Sequence, residues 1–151
     1  TEWNHDGSIQ WDLLKFDKHK GIQSLYRDLN GIYQTQPSLY QSDHDPACFA
    51  WIDHENAEQS ILSMMRTSKD GKQKMVMISN FTPVPRDNFR LGVADAGNYE
   101  LVLNTDDKKY WGSGYTVLKS MKSETHKWNN QNHSICINLP PLESLIHWAQ
   151  T

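Results

Sequence analysis

The hydrophobic pattern changes rhythm partway along the chain. Up to residue 16 the apolar side chains Trp3, Ile9, Trp11, Leu13, Leu14 and Phe16 follow no regular period. Then Ile22, Leu25, Leu29, Ile32 and Tyr33 recur at spacings of three, four, three and one. Residues three and four apart share one side of an α-helix, so the spacing predicts an amphipathic helix over residues 18–34. Arg27, Asp28 and Asn30 fall mainly on its other faces, and Pro37 stops it.

After Pro37 short apolar runs alternate with turn chemistry. The runs are 49–52, 60–66, 74–79, 89–93, 99–103, 115–118, 134–139 and 144–148. Lys69-Asp70-Gly71-Lys72 separates two of them, and Asp-Gly suits the positive φ pair of a tight hairpin. Pro83, Pro85, Gly92 and Gly97 punctuate the middle of the stretch. Pro140-Pro141 ends a strand, because proline has no N–H for a ladder. Evenly spaced short strands predict an antiparallel all-β domain, a sandwich or a barrel, over roughly residues 46–150. Such a sandwich buries its own inner faces. The helix, with its wide apolar stripe, is therefore expected to lack a partner within this chain and to be loosely held or covered by a second copy.

Composition narrows the class of protein. Charged residues make up 22% and hydrophobic ones 37%, a globular balance without the excess charge of disordered chains. The net charge is −3, and lysine and arginine are scattered, so no basic stripe offers nucleic acid a foothold. No apolar run approaches the ~20 residues that cross a bilayer, so no membrane partner is expected. The N-terminus has no secretory pattern and no Met, which suggests a cropped or cleaved piece of a longer chain. Two cysteines, Cys48 and Cys136, are too few for a disulfide framework. Both lie in apolar runs, and the expectation is two buried free thiols in a cytoplasmic protein.

Several polar clusters invite a chemical reading and fail on geometry. In Asp43-His44-Asp45 and Asp53-His54-Glu55 neighbouring residues point apart, so no metal site is expected. Asp106-Asp107 lacks the spacing of a calcium loop and reads as a polar turn. Gly112-Ser113-Gly114 lacks the context of a phosphate cradle, and no cofactor is expected. Cys48 has no neighbour that would activate it. The aromatic content is more informative. There are six tryptophans and six tyrosines, and indole faces stack on the C–H faces of sugars. Trp3 and Trp51 stand beside polar residues and are candidates for such platforms as well as for the core. If Phe49 points inward, period-two alternation takes Trp51 with it.

Several stretches resemble glycogen branching enzymes of the α-amylase superfamily. Glu2-Trp3-Asn4-His5-Asp6, with Ser8-Ile9-Gln10-Trp11 and Leu13-Leu14, is similar to the family's E-W-N-H-D…L-x-W-x-L-L segment. Residues 21–30, Gly-Ile-Gln-Ser-Leu-Tyr-Arg-Asp-Leu-Asn, resemble the helix that follows it. Residues 80–86, Asn-Phe-Thr-Pro-Val-Pro-Arg, are the most specific match. Leu103-Asn104-Thr105-Asp106 with Gly112-Ser113-Gly114, and Leu139-Pro140-Pro141-Leu142, complete the series in order. Residues 117–131 carry little of the resemblance, and Cys48 and Trp111 stand where the family is expected to have other residues.

The resemblance implies a mainly β architecture: an antiparallel β-sandwich C-terminal domain preceded by the last loop and helix of a (β/α)8 barrel. Residues 1–36 would end the catalytic barrel and residues 37–151 would form the C-terminal β domain. The family breaks α-1,4 bonds and makes α-1,6 branches through a covalent glycosyl-enzyme, using carboxylates in the manner of retaining glycosidases. The resemblance places those carboxylates on barrel strands upstream of Thr1, so no catalytic residue is assigned here. It implies that Trp3, Asn4, His5 and Asp6 line the glucan cleft, on a loop at the strand ends where such barrels keep their sites. It also raises the case for Trp51 as an accessory glucan contact. The implied partners are α-glucan, as glycogen or maltooligosaccharide, and the missing barrel of the parent chain. Two alternatives stand beside this reading: a free-standing glucan-binding β module, and the C-terminal domain of a related α-glucan hydrolase.

Overall fold

The computed structural model of the chain describes residues 3–150, the side chain of Gln150 excepted. After an irregular start and a short 3-10 turn at Trp11–Lys15 comes helix α1, Asp17–Thr35. Pro37 does not simply end it. Pro37–Tyr40 forms one further turn, α2, with proline at a first-turn position where a missing N–H costs nothing. Eight strands follow: β1 (Phe49–Asp53), β2 (Ile61–Thr67), β3 (Lys74–Asn80), β4 (Arg86–Val93), β5 (Asn98–Asn104), β6 (Ser120–Lys122), β7 (His133–Leu139) and β8 (Glu143–Gln150).

All pairings are antiparallel. Six strands form one sheet in the order β1-β2-β3-β8-β5-β6, and β4 and β7 form a second. The chain crosses between sheets at β3–β4, β4–β5, β6–β7 and β7–β8. Alternation along each strand sorts the side chains by face. Val76 and Ile78 of β3 and Leu145 and Ala149 of β8 meet Leu91 and Val93 of β4 and Ile135 and Ile137 of β7 in the space between the sheets. Most of these are 0–1% exposed, and each fully buried aliphatic side chain contributes about 1.5–3 kcal/mol. This is the main core.

The other face of the large sheet corrects the expectation of a helix without a partner. Met75, Leu103, Tyr110 and Ile146 form a second buried cluster, and Leu25, Leu29 and Ile32 of α1 pack against it. The helix reaches the sheet through the 3-10 turn Lys108–Tyr110. A Cβ on Gly21 would lie 2.4 Å from the carbonyl oxygen of Tyr110, so only glycine permits this approach. About two turns further on, Tyr110 Oη donates to Asp28 Oδ2 at 2.6 Å, and Lys109 Nζ lies 3.2 Å from the same oxygen. These contacts hold the Asp28 carboxyl below its ordinary range, the tyrosine hydrogen bond first and Lys109 second. Lys18 Nζ sits 4.5 Å from the centre of the Trp111 ring. The other edge of the helix stays open: Ile22, Tyr26 and Tyr33 are exposed, as are Ile9, Trp11 and Phe16 before it.

Several further expectations need correction. Residues 115–118 are not a strand, and the short β6 lies just beyond them. The Asp106 carboxylate overrides the apolar pattern by accepting from Ser113 N at 2.7 Å, Ser113 Oγ at 2.6 Å and Tyr115 N at 3.0 Å. That carboxylate ties the chain into a loop. The β2–β3 hairpin is not a two-residue turn with two positive φ values. Gly71 is at φ +74°, its N–H bonds to Ser68 O, and Ser68 Oγ donates to Asp70 Oδ1, which makes a wider loop. Cys48 and Cys136 are free as expected, but only Cys48 is buried. Cys136 lies between Ile135 and Ile137, which both enter the core, so its thiol takes the outward position on β7.

Asn80 gives the 80–86 stretch a structural account. Its Nδ2 donates to the carbonyls of Val84 and Pro140, both at 2.9 Å, and its Oδ1 accepts from Thr82 N and Oγ1. Leu142 N closes the arrangement by donating to Thr82 O at 2.9 Å. One buried amide thus fastens the β3–β4 crossing to the β7–β8 crossing.

Candidate functional site

The Trp3–Asp6 segment is a solvated turn. Asn4 Oδ1 accepts from Asp6 N at 3.1 Å, Gly7 N donates to Asn4 O at 3.3 Å, and His5 Nε2 lies 3.4 Å from Asp6 Oδ1. Trp3 is 94% exposed at φ +65°. Of the four candidates only Asn4 lines a concavity, an open hollow of about 630 Å³ walled by Ile9, Trp11, Leu13, Leu14 and Ile22. The four therefore do not converge on a single site in this chain. The apolar part of the hollow's lining, which Ser8, Gln10, His19 and Gln23 share, includes residues that leave the helix edge uncovered.

Trp51 is held differently. Ala50 pairs with Met65, which packs against the core between the sheets, so alternation turns Ala50 inward and places Phe49 and Trp51 on the outer face. The antecedent of the buried reading, an inward Phe49, does not hold. Trp51 is 45% exposed on β1, one of the two edge strands of the large sheet, opposite Met64. The Phe49 and Trp51 rings meet at 88° with centroids 5.0 Å apart, an edge-on contact that fixes the indole. His54 lies 5.8 Å away and supplies a polar neighbour. Asp53 is already occupied: Oδ1 accepts from Glu55 N and Oδ2 from Asn129 Nδ2. Phe49, Trp51 and His54 thus make a small, half-exposed aromatic platform with a hydrogen-bonding edge.

The acidic clusters have structural roles. Asp43 Oδ1 pairs with Arg66 Nη1 at 2.8 Å, and Asp45 caps the turn Pro46–Cys48 by accepting from Ala47 N at 2.9 Å. Among the described residues no three His, Cys, Asp or Glu side chains are grouped to hold a metal ion.

One exposed aromatic escaped the sequence reading. Trp128-Asn129-Asn130-Gln131 is a tight hairpin in the stretch with little family resemblance. Trp128 N donates to Gln131 O at 3.1 Å and Gln131 N to Trp128 O at 2.8 Å. Asn129 and Asn130 stand at φ +46° and +59°, which asparagine tolerates in a two-residue turn. The consecutive asparagines were the available signal. Trp128 is 45% exposed.

Comparison with known proteins agrees with the fold and the motifs. Residues 51–148 match the family described as alpha amylase, C-terminal all-beta domain. The chain is 61% identical over 97% of its length to the 1,4-alpha-glucan branching enzyme GlgB of Pseudoalteromonas atlantica. It is 45% identical over 99% to that of Vibrio cholerae and 40% identical over 93% to that of Aquifex aeolicus. It spans about a fifth of the length of these curated relatives, 20%, 20% and 22% respectively. Among solved structures it superposes on an inactive MutB double mutant in complex with isomaltulose, with a TM-score of 0.52 at 20% identity, covering 87% of this chain and 18% of that one. That likeness concerns the fold alone. The chain belongs to the alpha amylase C-terminal all-beta domain family.

Proposed function

We propose that this chain is the C-terminal region of a cytoplasmic 1,4-α-glucan branching enzyme and that its own role is non-catalytic. Residues 1–36 end the catalytic barrel and residues 37–151 form the C-terminal β domain. The α1 edge carrying Ile22 and Tyr26, with Trp11 and Phe16 before it, docks the rest of the barrel. The observation that carries this reading is the contiguous set of exposed apolar side chains, Ile9, Trp11, Phe16, Ile22 and Tyr26, along one edge of α1 and the segment before it. The 61% identity to a branching enzyme over 97% of the chain supports the choice of parent.

In this reading the β domain covers the opposite side of α1 through Met75, Leu103, Tyr110 and Ile146, so the helix is shared between two cores. Trp3, Asn4, His5 and Asp6 gain their place beside the glucan cleft only when the barrel is present, which fits their exposure here. Trp51 serves as an accessory contact that steers α-glucan. The decisive assay incubates this chain, and separately the whole parent, with amylose while iodine colour and reducing ends are followed. The chain alone is expected to leave both unchanged and the parent to branch. Turnover by the chain alone overturns the proposal, and so does a parent that only hydrolyses.

A further inference from the structure

A second open groove, of about 520 Å³, lies at one end of the sandwich between the Trp128 hairpin and the start of β4. Its volume falls within the ~300–1,000 Å³ typical of small-ligand sites. Trp51 does not line it. One wall is Trp128 with Asn129, and the others include Asn56, Gln59, Arg86 and Phe89.

The hairpin is firmly seated. A Cβ on Gly92 would stand 2.2 Å from Trp128 O, so the strand and the hairpin backbone touch directly. Gly92 N donates to Asn129 Oδ1 at 3.0 Å, and Asn129 Nδ2 donates to Asp53 Oδ2 at 3.2 Å. The indole is therefore presented on a fixed support, which lowers the ordering cost of using it to bind.

The polar groups favour a neutral ligand. Two carboxylates, Asp53 and Asp87, and two guanidiniums, Arg86 and Arg90, line the groove. Three of these four are engaged: Asp53 by Asn129, Asp87 by Tyr115 Oη at 2.7 Å, and Arg90 by Glu124 and Ser134. Arg86 Nε, in contrast, is buried without a hydrogen-bond partner among the described residues. That nitrogen is closed off from solvent and from a ligand, so Arg86 serves the groove as a wall and as a charge that balances the carboxylates. Asn56 Nδ2 donates to Gln59 Oε1 at 3.0 Å, which orients a pair of planar amides in the same groove. A flat aromatic face, planar amides and balanced charge suit the hydroxyls and C–H faces of a sugar better than a phosphate, which would meet Asp53 and Asp87.

We propose that this groove binds a segment of α-glucan, with the Trp128 indole as stacking platform and the Asn56 and Gln59 amides as its hydrogen-bonding edge. The choice of α-glucan over other neutral sugars rests on the function proposed above; the groove itself does not. The test is an NMR titration of the labelled chain with maltoheptaose, and in parallel with cellohexaose and inorganic phosphate. Maltoheptaose is expected to shift the Trp128 indole N–H and the Gln59 side-chain amide. Trp128→Ala should weaken that binding about three- to tenfold, the size of one aromatic contact, and Trp128→Phe should restore part of it. Because the Trp128 backbone makes the contact with Gly92, neither change removes the hairpin's support. A silent Trp128 beside a responding Trp51 overturns the groove and leaves the α-glucan reading intact. Silence at both tryptophans overturns both. A response to cellohexaose with none to maltoheptaose, or an equal response to phosphate, overturns the assignment of the ligand.

Discussion

The two faces of the six-stranded sheet are finished to different degrees. The inner face meets β4 and β7, and its aliphatic side chains are almost wholly withdrawn from water. The outer face meets one side of α1, and there Leu25, Leu29, Ile32, Met77 and Val102 are only partly buried. Beyond that helix lies an uncovered apolar edge. Two layers around one core make a self-sufficient unit. A third layer that is apolar on both sides needs a fourth. The inner face therefore reads as the part that folds for itself, and the outer as a joint to something larger.

Truncation is the strongest way to break this comparison. Leu145→Ala removes a side chain that is 0% exposed between the sheets, and is expected to cost about 2–5 kcal/mol. Ile22→Ala, at a residue 55% exposed, should change the stability of this chain by no more than about 0.5 kcal/mol. Urea denaturation measures both. Equal losses would erase the distinction between the faces. If the proposed barrel covers the helix edge, the Ile22 change should become costly in the longer parent.

The inner face also carries the chain's pH response. His147 is wholly buried, neither ring nitrogen has a partner among the described residues, and burial pushes its pKa from 6.5 down to about 4. Below pH 6.5 the unfolded chain takes up a proton that the folded chain refuses until about pH 4. Stability is therefore lost as pH falls through that window, by about 3 kcal/mol in total. Glu143, at the end of the same strand, acts in the opposite sense. Burial, and secondly the charge of Asp106, push its pKa from 4.5 up to about 9. Its stabilising contribution is complete below pH 4.5 and is lost as pH rises towards 9. Between pH 4.5 and 6.5 the two groups oppose each other, so in denaturation midpoints against pH His147→Leu should make stability rise as pH falls through that range, and Glu143→Gln should flatten the decline between pH 6.5 and 9. An acid limb that His147→Leu leaves unchanged would refute this assignment.

How much of this was legible in the sequence depends on the range of the forces involved. The 3.6-residue period over 18–34 marked α1 to within a residue at each end, since local apolar spacing is what a helix records. Seven of the apolar runs became strands for the same reason. The run at 115–118 did not, because a carboxylate nine residues upstream of Tyr115 holds the backbone away from a ladder. Long-range fits were visible only as motifs. Gly21, Asp28, Asn80 and Asp106 lay in recognisable stretches, but that Gly21 admits Tyr110 and that Asn80 joins two crossings follows from coordinates alone. The candidate cleft residues Trp3–Asp6 were readable only by resemblance, since they lack convergent partners in this chain. Trp128 carried no family signal, and its hairpin is set by two asparagines.

The joint between α1 and the β domain offers a middle-sized test. Asp28→Asn keeps the shape but removes the charge from the hydrogen bond with Tyr110 and the pair with Lys109. The expected outcome is a small but measurable loss of stability, because the neutral amide no longer attracts Lys109 or accepts a charge-assisted hydrogen bond from Tyr110. Gly21→Ala is harsher, since its Cβ would meet the Tyr110 carbonyl and the helix must shift. In both variants hydrogen exchange over residues 17–35 should speed up while β3 and β8 keep their protection. Loss of protection in both layers together would mean that helix and sandwich are one cooperative unit, and that the two faces differ in packing but not in independence.

The smallest expected effect concerns Trp51, on the outer face where neither helix nor second sheet covers it. Its ring is held edge-on by Phe49 and has His54 beside it, so a sugar can stack without first ordering the side chain. A single stacked sugar contributes only about 0.5–2 kcal/mol by the scale of aromatic contacts, so binding to this chain should be near millimolar. Maltoheptaose titrated into the chain should move the Trp51 indole N–H signal. Trp51→Ala should abolish the shifts of its neighbours and lower stability by about 1 kcal/mol or less, because the ring is half exposed. If the neighbours shift equally in the folded mutant, Trp51 is no sugar platform, and its exposure then belongs with Ile22 and Tyr26 as surface awaiting the rest of the parent chain.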